Sequence, residues 1–503
     1  MSRTLLVSLA ALSLACSAAA QAPPQAPASG KRVRRLLIHN AIVVDGNGTP
    51  ASGPKDIVIE NNTIADVIPL DPVAAARGSR MPARGGAEAD AVIDATGKYV
   101  LPGLINAHAH LQEERGGKPQ PLEYELNIWL ACGITTIRDV GSDTKRALEI
   151  RRQSAEGELA APRIFIYPMF GRARNATEAR ARVQSLKQQG VDGIKILGID
   201  RDIMAAMEDE AHKVGLRIAH HAGVEETNAW DDIKFGTTSI EHWYGIPDAA
   251  IESGVQGFPS SYNYNNETDR FRYAGHLWRE ANPERLGKVL DGMVQAHVAW
   301  VPTLDIYEAS RDLQRAQTQP WFAEYLHPVL EEYFRPNPAN HGSYFLGWTS
   351  TDEMFWKENY RLWMAALREF DRRGGLMIIG LLMRQKPLGL RYHRIFDWTV
   401  KLCKSWRLSR QYELRYLCLT ASDRSRHSRV DRPRFLPIDM RRGMGRAVTA
   451  LSVSLATLRR QAGHCADGRQ DRPGELLGPA FEVKWTTPGV AGILEEVADK
   501  EPS

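Results

Sequence analysis

The chain has 503 residues, of which 25% are charged and 43% are hydrophobic, and its formal net charge is +4. At ~100–200 residues per domain, this length allows about two to four domains. So small a net charge on so long a chain gives no reason to expect nucleic acid or an anionic membrane surface as a partner. The composition is that of an ordinary globular protein.

The N-terminus has the pattern of a signal peptide. Arg3 precedes an apolar run that ends at Ala15, and small residues follow up to Ala20. The apolar run is too short to span a bilayer, so no stable membrane insertion is expected. We predict a signal peptide over residues 1–20, a disordered Ala/Pro-rich leader over 21–34, and export to the periplasm or the medium.

Residues 35–100 are predicted to form short strands. The runs 36–44 and 56–60 are rich in β-forming residues and are bounded by Gly, Asn and Pro. Asn61 and Asn62 suit a hairpin turn between two such strands. We therefore predict part of a small β-domain in this region.

Beyond residue 110 the chain alternates between apolar runs and helical patterns. The apolar runs 134–137, 164–167 and 193–197 are separated by amphipathic stretches that stop at Gly190 and at Gly215. Strand, helix and strand at this spacing predict βα units and a parallel sheet.

The apolar run that begins at Leu101 ends in two histidines. His108 and His110 are separated by one residue, and alternate residues of a strand point to the same side. If this strand belongs to a barrel, both side chains project from its carboxyl end, where one divalent cation can take a nitrogen from each.

Further polar residues follow later strands. Lys195 lies inside an apolar run, where an ammonium group is costly to bury. His220 and His221 follow one strand, and His242 follows another. Each has a simpler explanation, such as an ion pair between Glu241 and His242. Together they are better explained by a (β/α)8 barrel, which gathers the carboxyl ends of its strands at one mouth.

Taken in order, these elements resemble the amidohydrolase superfamily, in particular its imidazolonepropionase-like and Xaa-Pro-dipeptidase-like secreted members. The stretches that carry the resemblance, within about residues 35–380, are 101–111, 133–139, Lys195, 221–223 and 239–242. The resemblance implies an α/β fold, with a TIM-like (β/α)8 barrel over 101–380 and a small β-sandwich that includes 35–100.

The same resemblance implies a centre of two divalent metal ions, usually zinc. The ligands it implies are His108, His110, Lys195, His221 and His242, and His220 stays open as the alternative to His221. Lys195, carboxylated by CO2, would bridge the two ions, and it and His242 would belong to the catalytic centre. The implied reaction is hydrolysis of a small-molecule amide (a dipeptide or an N-acyl amino acid), or of a cyclic amide or ester, by a hydroxide that bridges the metals.

Residues near these ligands are candidates for the substrate pocket. Trp243 and Tyr244 directly follow a predicted ligand, and Arg138 is a candidate partner for a substrate carboxylate. The segment 303–375 is long and rich in aromatic residues. One prediction is that this segment forms a lid over the metals. The alternative is a helical excursion that packs on itself or on another subunit, and in the latter case the protein is a homo-oligomer.

The sequence departs from the family pattern after Gly380. The family carries an aspartate in a Gly-x-Asp type of motif at the end of the eighth strand, but here the next residues are Leu-Leu-Met-Arg-Gln-Lys. We interpret 381–503 as an atypical basic tail, produced either by a reading-frame change near Gly380 or by divergence. The alternative function is therefore a metal-binding barrel whose catalysis is impaired because this aspartate is missing.

Overall fold

A computed structural model describes the chain from residue 33 to residue 380, with gaps. The described residues are 33–44, 50–61, 63–76, 89–115, 118–131, 133–223, 227–254, 256–263, 267–304, 327–329 and 347–380. The predicted signal peptide, nearly all of the predicted leader and the predicted tail over 381–503 lie outside these residues. So does most of the aromatic segment 303–375.

The first region is a five-stranded sheet with one short helix between its third and fourth strands. Its strands are β1 (Arg35–Val43), β2 (Ser52–Glu60), β3 (Thr63–Pro69), β4 (Ala91–Asp94) and β5 (Tyr99–Val100), and helix α1 spans Pro72–Ala76. The strand order is β3-β2-β1-β4, with β5 also paired to β1. Strands β2 and β3 are antiparallel, and Glu60 pairs with Thr63 across the predicted turn. The predicted hairpin is confirmed, and the described residues of this region form a single sheet.

A run of strands and helices follows, in the alternation that the sequence predicts. The strands are β6 (Leu104–Ala109), β7 (Glu114–Arg115), β8 (Lys118–Pro119), β9 (Ile134–Val140), β10 (Arg163–Tyr167), β11 (Gly193–Ile196), β12 (Arg217–His220), β13 (Ser239–Glu241) and β14 (Ala299–Val301). The helices are α2 (Leu122–Ala131), α3 (Thr144–Glu156), α4 (Ala176–Gln188), α5 (Arg201–Lys213), α6 (Ala229–Phe235), α7 (Glu267–Glu280), α8 (Pro283–Gln295) and α9 (Ser350–Arg372). The architecture is therefore mixed α/β.

Local signals explain where these helices begin and end. Asn175 caps α4 by accepting a hydrogen bond from the backbone N–H of Glu178. Asn228 begins α6 with a capping box, in which Asp231 bonds back to the backbone of the cap residue. Gly190 and Gly215 follow α4 and α5 with φ values of 79° and 72°, as helix-ending glycines do.

Parallel pairing joins the longer strands into two runs. Strand β9 lies between β6 and β10, and β11, β12, β13 and β14 are neighbours in that order. A bridge between Met169 and Lys195 connects the end of β10 to β11, and another between Trp300 and Met377 connects β14 to residues 376–379. The N–H of Ala107 donates to the carbonyl of Ile379 at 3.0 Å. Hydrogen bonds therefore lead from β6 through β9, β10, β11, β12, β13 and β14 to residues 376–379 and back to β6, whereas β7 and β8, among the described strands, pair only with each other.

Part of the aromatic segment belongs to the hydrophobic core. Helix α9 packs against α7, and its Trp356, Trp363 and Phe370 have no exposed surface. In the described portion, these aromatic residues form a packed helix and not a lid, because their side chains face the interior. None of the helices in the described ranges combines the length and the apolar character needed to cross a membrane.

Candidate active site

Four of the predicted histidines meet at the carboxyl ends of three strands. The ring centroids of His108 and His110 lie 5.2 Å apart, those of His108 and His242 lie 4.7 Å apart, and those of His221 and His242 lie 4.6 Å apart. His108 belongs to β6, whereas His221 and His242 directly follow β12 and β13. Parallel strands present their carboxyl ends at the same edge, which brings together residues that are more than 100 positions apart in sequence.

The pairing of β11 with β12 shows to which side of the sheet His220 and His221 each point. Lys195 pairs with Ala219, so residues 219 and 221 lie on the same side as the lysine. His220 points to the other side, where its Nδ1 lies 2.7 Å from Oδ1 of Asp232 on α6. The structure therefore groups His221 with Lys195 and directs His220 towards the helix layer.

Lys195 carries a buried amine that has no hydrogen-bond partner in the described residues. Its side chain is 3% exposed, and Nζ has no hydrogen-bond partner in the described part of the chain. Burial lowers the pKa of Lys195 to about 8, with Glu241 opposing and Arg138 adding to the shift. A substantial fraction of this amine is therefore neutral, and so nucleophilic, in mildly alkaline solution.

Glu241 lies beneath the histidines and was not among the predicted site residues. Its Oε2 lies 2.5 Å from Nδ1 of His108, and its Oε1 accepts hydrogen bonds from Arg138 at 2.6 Å and from Ser239 at 2.7 Å. Burial acts to raise the pKa of Glu241, but Arg138 and His108 outweigh it and hold the pKa at about 2. The carboxylate is therefore ionised. Its place immediately before His242 was visible in the sequence, but its orientation was not.

His242 has an unusual backbone conformation. Its φ is 63°, in the left-handed region that residues other than glycine rarely adopt. Its N–H donates to the carbonyl of Val301 at 2.7 Å, its Nδ1 lies 2.6 Å from Oγ1 of Thr303, and its carbonyl accepts from the indole of Trp300. Strain of this kind persists when surrounding contacts hold it in place, and it concentrates at functional sites.

Two of the predicted pocket residues are buried. Trp243 has no exposed surface and packs against Trp278 and Trp363 in the core. Arg138 is 3% exposed, and its guanidinium donates to Ala107, Ser239 and Glu241 inside the protein. Their burial does not favour contact with a substrate, and their role in the pocket stays a prediction.

Tyr244, the third predicted pocket residue, lies beside His221. Its ring stacks on that of His221, with centroids 5.1 Å apart and planes 9° apart, and it is only partly buried. A partly exposed aromatic ring beside the histidines suits contact with a substrate group. Its role as a pocket residue stays a prediction.

The grouped histidines and Lys195 are chemically suited to bind metal ions, although their side chains are not placed in a coordination geometry. Within the described ranges, no three His, Cys, Asp or Glu side chains are placed to hold a metal ion. Imidazole nitrogens and a carboxylated lysine are nevertheless ligands that zinc accepts, and the orphaned Nζ of Lys195 gains a partner if it is carboxylated. The metal ligands therefore stay a prediction that the grouping of the side chains supports.

The last described residue lies directly beside His108. A Cβ atom added to Gly380 would lie 2.7 Å from Cβ of His108 and 2.5 Å from Cγ1 of Val301. Contacts this short exclude any side chain, so glycine is required here. The residues that follow, where the family carries its aspartate, lie outside the described residues.

Comparison with known proteins shows what this chain is similar to. The chain is 31% identical over 188 residues to a D-hydantoinase of Streptomyces coelicolor, which is 34% of this chain and 40% of that relative. A solved prolidase in complex with N-methylphosphonate-L-proline has the same fold, with a TM-score of 0.51 and 16% identity over 80% of this chain and 91% of that one. A bottromycin amidohydrolase gives a TM-score of 0.52 and 15% identity, over 78% of this chain and 80% of that one. The chain is therefore similar to amidohydrolases in part of its sequence and in its fold.

The extent of the sequence similarity to amidohydrolases is limited. No family model matches the chain. It spans between 40 and 55% of the length of the first curated relatives that it matches. The structural likeness therefore supports the mixed α/β fold of this chain, and the activity of the whole protein is a matter for proposal.

Proposed function

We propose that this protein is a metal-dependent hydrolase of carbon–nitrogen bonds in small molecules. The observation that carries the proposal is the buried Lys195, whose amine has no hydrogen-bond partner in the described residues and lies on the same side of the sheet as His221. An isolated buried amine is costly, whereas a carboxylated lysine surrounded by imidazoles is a ligand set for two cations.

We also propose that the parallel strands form the closed (β/α)8 barrel of the superfamily. The hydrogen bond between Ala107 and Ile379 and the bridge between Trp300 and Met377 support closure, because they join the first strand of the run to the last. In such a barrel the carboxyl ends of the strands surround one mouth, which is where the four histidines lie.

The chain's own residues would each have a defined task. The residues proposed to hold the ions are His108, His110, Lys195, His221 and His242. The neutral amine of Lys195 would form a bond to the carbon of CO2 and release one proton to solvent, which converts the amine into a carbamate anion. Bound ions would activate water and polarise the carbonyl of the scissile bond. Tyr244, stacked on His221, would pack against the substrate.

The choice of substrate rests on the relatives. The D-hydantoinase and the prolidase carry names that refer to a cyclic and to a linear amide, and a barrel of this kind suits either. We propose a dipeptide or N-acyl amino acid as the substrate, with cyclic amides and lactones as the second choice. The predicted signal peptide supports action outside the cytoplasm, which cell fractionation would test.

A second candidate function is metal binding without efficient turnover. The observation in its favour is the sequence after Gly380, which lacks a carboxylate through Lys386. Gly380 lies beside His108, so the chain continues from the edge of the site. Loss of a proton-transfer group typically lowers the rate by ~10²–10⁴-fold.

Metal analysis combined with a substrate panel tests the proposal. The full chain would be purified, its metal content measured by mass spectrometry, and its hydrolysis of dipeptides, N-acyl amino acids, hydantoins and lactones assayed. We expect bound zinc and turnover that His108→Ala abolishes and that His212→Ala, at an exposed histidine on α5, preserves. Bound zinc without turnover favours the second candidate, and an absence of bound metal refutes both.

A further inference from the structure

A buried row of polar side chains links three strands beneath the histidines. Arg138 of β9 donates from Nη2 to Oε1 of Glu241 at 2.6 Å, and Oε2 of Glu241 lies 2.5 Å from Nδ1 of His108. All three side chains are at most 4% exposed. We propose that Glu241 is a positioning residue, which orients His108 and determines which of its ring nitrogens carries the proton. The inference rests on the proposed metal-dependent function.

The chemistry of the carboxylate determines the tautomer of His108. An ionised carboxylate accepts hydrogen bonds and cannot donate them. The short contact between Oε2 of Glu241 and Nδ1 of His108 therefore requires the proton on Nδ1. In a neutral imidazole the lone pair is then on Nε2, which is the nitrogen that this side chain offers to a metal ion.

Arg138 holds the carboxylate and the histidine strand together. Its Nε donates to the carbonyl of Ala107 at 2.6 Å, immediately before His108 on β6, and its Nη1 donates to Oγ of Ser239 at 3.0 Å. The same guanidinium therefore contacts the backbone of the histidine strand and the side chain that orients the histidine. A shift of β13 relative to β6 would break at least one of these contacts.

The buried ion pair of Arg138 and Glu241 is better explained by its effect on geometry than by a contribution to stability. A deeply buried ion pair recovers little more than its desolvation cost, so it is a weak source of stability. Its value is geometric, because Arg138 offers donors in a rigid plane and Glu241 accepts from two directions. Second-layer carboxylates of this kind orient metal-binding histidines and increase their basicity.

An amide at position 241 cannot reproduce this arrangement. A glutamine side chain has one accepting oxygen and one donating nitrogen. If its oxygen faces Arg138 and Ser239, its NH2 group faces Nδ1 of His108, which then accepts and moves the ring proton to Nε2. Glu241→Gln therefore keeps the shape of the side chain but removes the lone pair from the metal-facing nitrogen.

Cobalt binding to the full chain tests the inference. Metal-free wild type, Glu241→Gln and Ser239→Ala would be titrated with Co²⁺ against a competing chelator, and the visible absorption of the bound ion recorded. We expect Glu241→Gln to bind Co²⁺ about 10- to 100-fold more weakly, with an altered spectrum. We expect Ser239→Ala to stay within about fivefold of wild type, because it removes only the hydroxyl that bonds to Arg138 and Glu241 and keeps the carboxylate in contact with both Arg138 and His108.

The outcomes separate this inference from the proposed function. Unchanged affinity and spectrum in Glu241→Gln would overturn the positioning role while leaving the metal site intact. No Co²⁺ binding by wild type would overturn the proposed function and this inference with it. If Glu241→Gln does not fold, ¹⁵N-histidine spectra of the metal-free wild type, assigned with His108→Asn, decide the matter. We expect the proton on Nδ1 of His108, and a proton on Nε2 overturns the inference.

Discussion

Replacing Lys195 by methionine should stabilise the metal-free protein. Methionine keeps the length and most of the volume of the lysine side chain but removes the buried amine that has no hydrogen-bond partner in the described residues. Burial lowers the lysine pKa from 10.5 to about 8. A pKa difference of one corresponds to about 1.4 kcal/mol. Keeping Lys195 charged in the folded protein therefore lowers the free energy of unfolding by about 3 kcal/mol.

The pH dependence of this effect has a definite sign. Between pH 8 and pH 10.5 the unfolded chain binds more protons at this lysine than the folded chain does, so the wild type becomes more stable as the pH rises. Below pH 8 the cost is present in full. The advantage of Lys195→Met is therefore about 3 kcal/mol at pH 7, and it shrinks towards pH 10.

Thermal unfolding in the presence of a chelator measures the effect. Wild type, Lys195→Met and the matched control Lys187→Met, at an exposed lysine on α4, would be melted at pH 7.0 and at pH 9.5. We expect a rise of several degrees for Lys195→Met at pH 7.0, a smaller rise at pH 9.5, and little change for the control. A lower melting temperature for Lys195→Met, or an equal shift at both pH values, would refute the reasoning.

Four other substitutions test separate parts of the structure. Burial raises the pKa of Glu208 well above its usual value, so the wild type loses stability as the pH rises above 4.5, and Glu208→Gln should raise the melting temperature more at pH 7 than at pH 5. Trp363→Ala should lower the free energy of unfolding by about 3–5 kcal/mol in urea titrations, because the indole has no exposed surface; a loss below 1 kcal/mol would contradict that burial. Gly380→Ala should destabilise by about 1–3 kcal/mol and weaken zinc binding, since its methyl group would clash with His108. Leu382→Asp restores the Gly-x-Asp spacing, and a gain of ~10²-fold or more in hydrolysis rate is expected if the missing aspartate limits turnover.

Much of the architecture could be predicted from local sequence. The hairpin at Asn61, the alternation of strands with helices, and the glycines that end α4 and α5 all follow from patterns within a few residues. The grouping of His108 and His110 follows from the two-residue period of a strand, which is a property of the backbone and needs no partner.

The set of residues that meet at the site could be predicted only in part. Histidines at the ends of separate strands converge because parallel strands share an edge, and the resemblance to amidohydrolases names the same residues. The burial of Trp243, a predicted pocket residue, could not be predicted. An aromatic residue beside a histidine looks the same in sequence whether it faces a cavity or the core, and here it packs against Trp278.

Only the tertiary structure decided the orientations that matter most for chemistry. Which of His220 and His221 lies on the same side as Lys195 depends on the register between β11 and β12. A shift of the register by one residue would exchange the two faces of the strand. The contact between Glu241 and His108 joins residues 133 positions apart, and Arg138 reaches both strands only because β9 lies beside β6. Periodicity within one strand defines its two faces, but packing against distant strands decides which face is the interior.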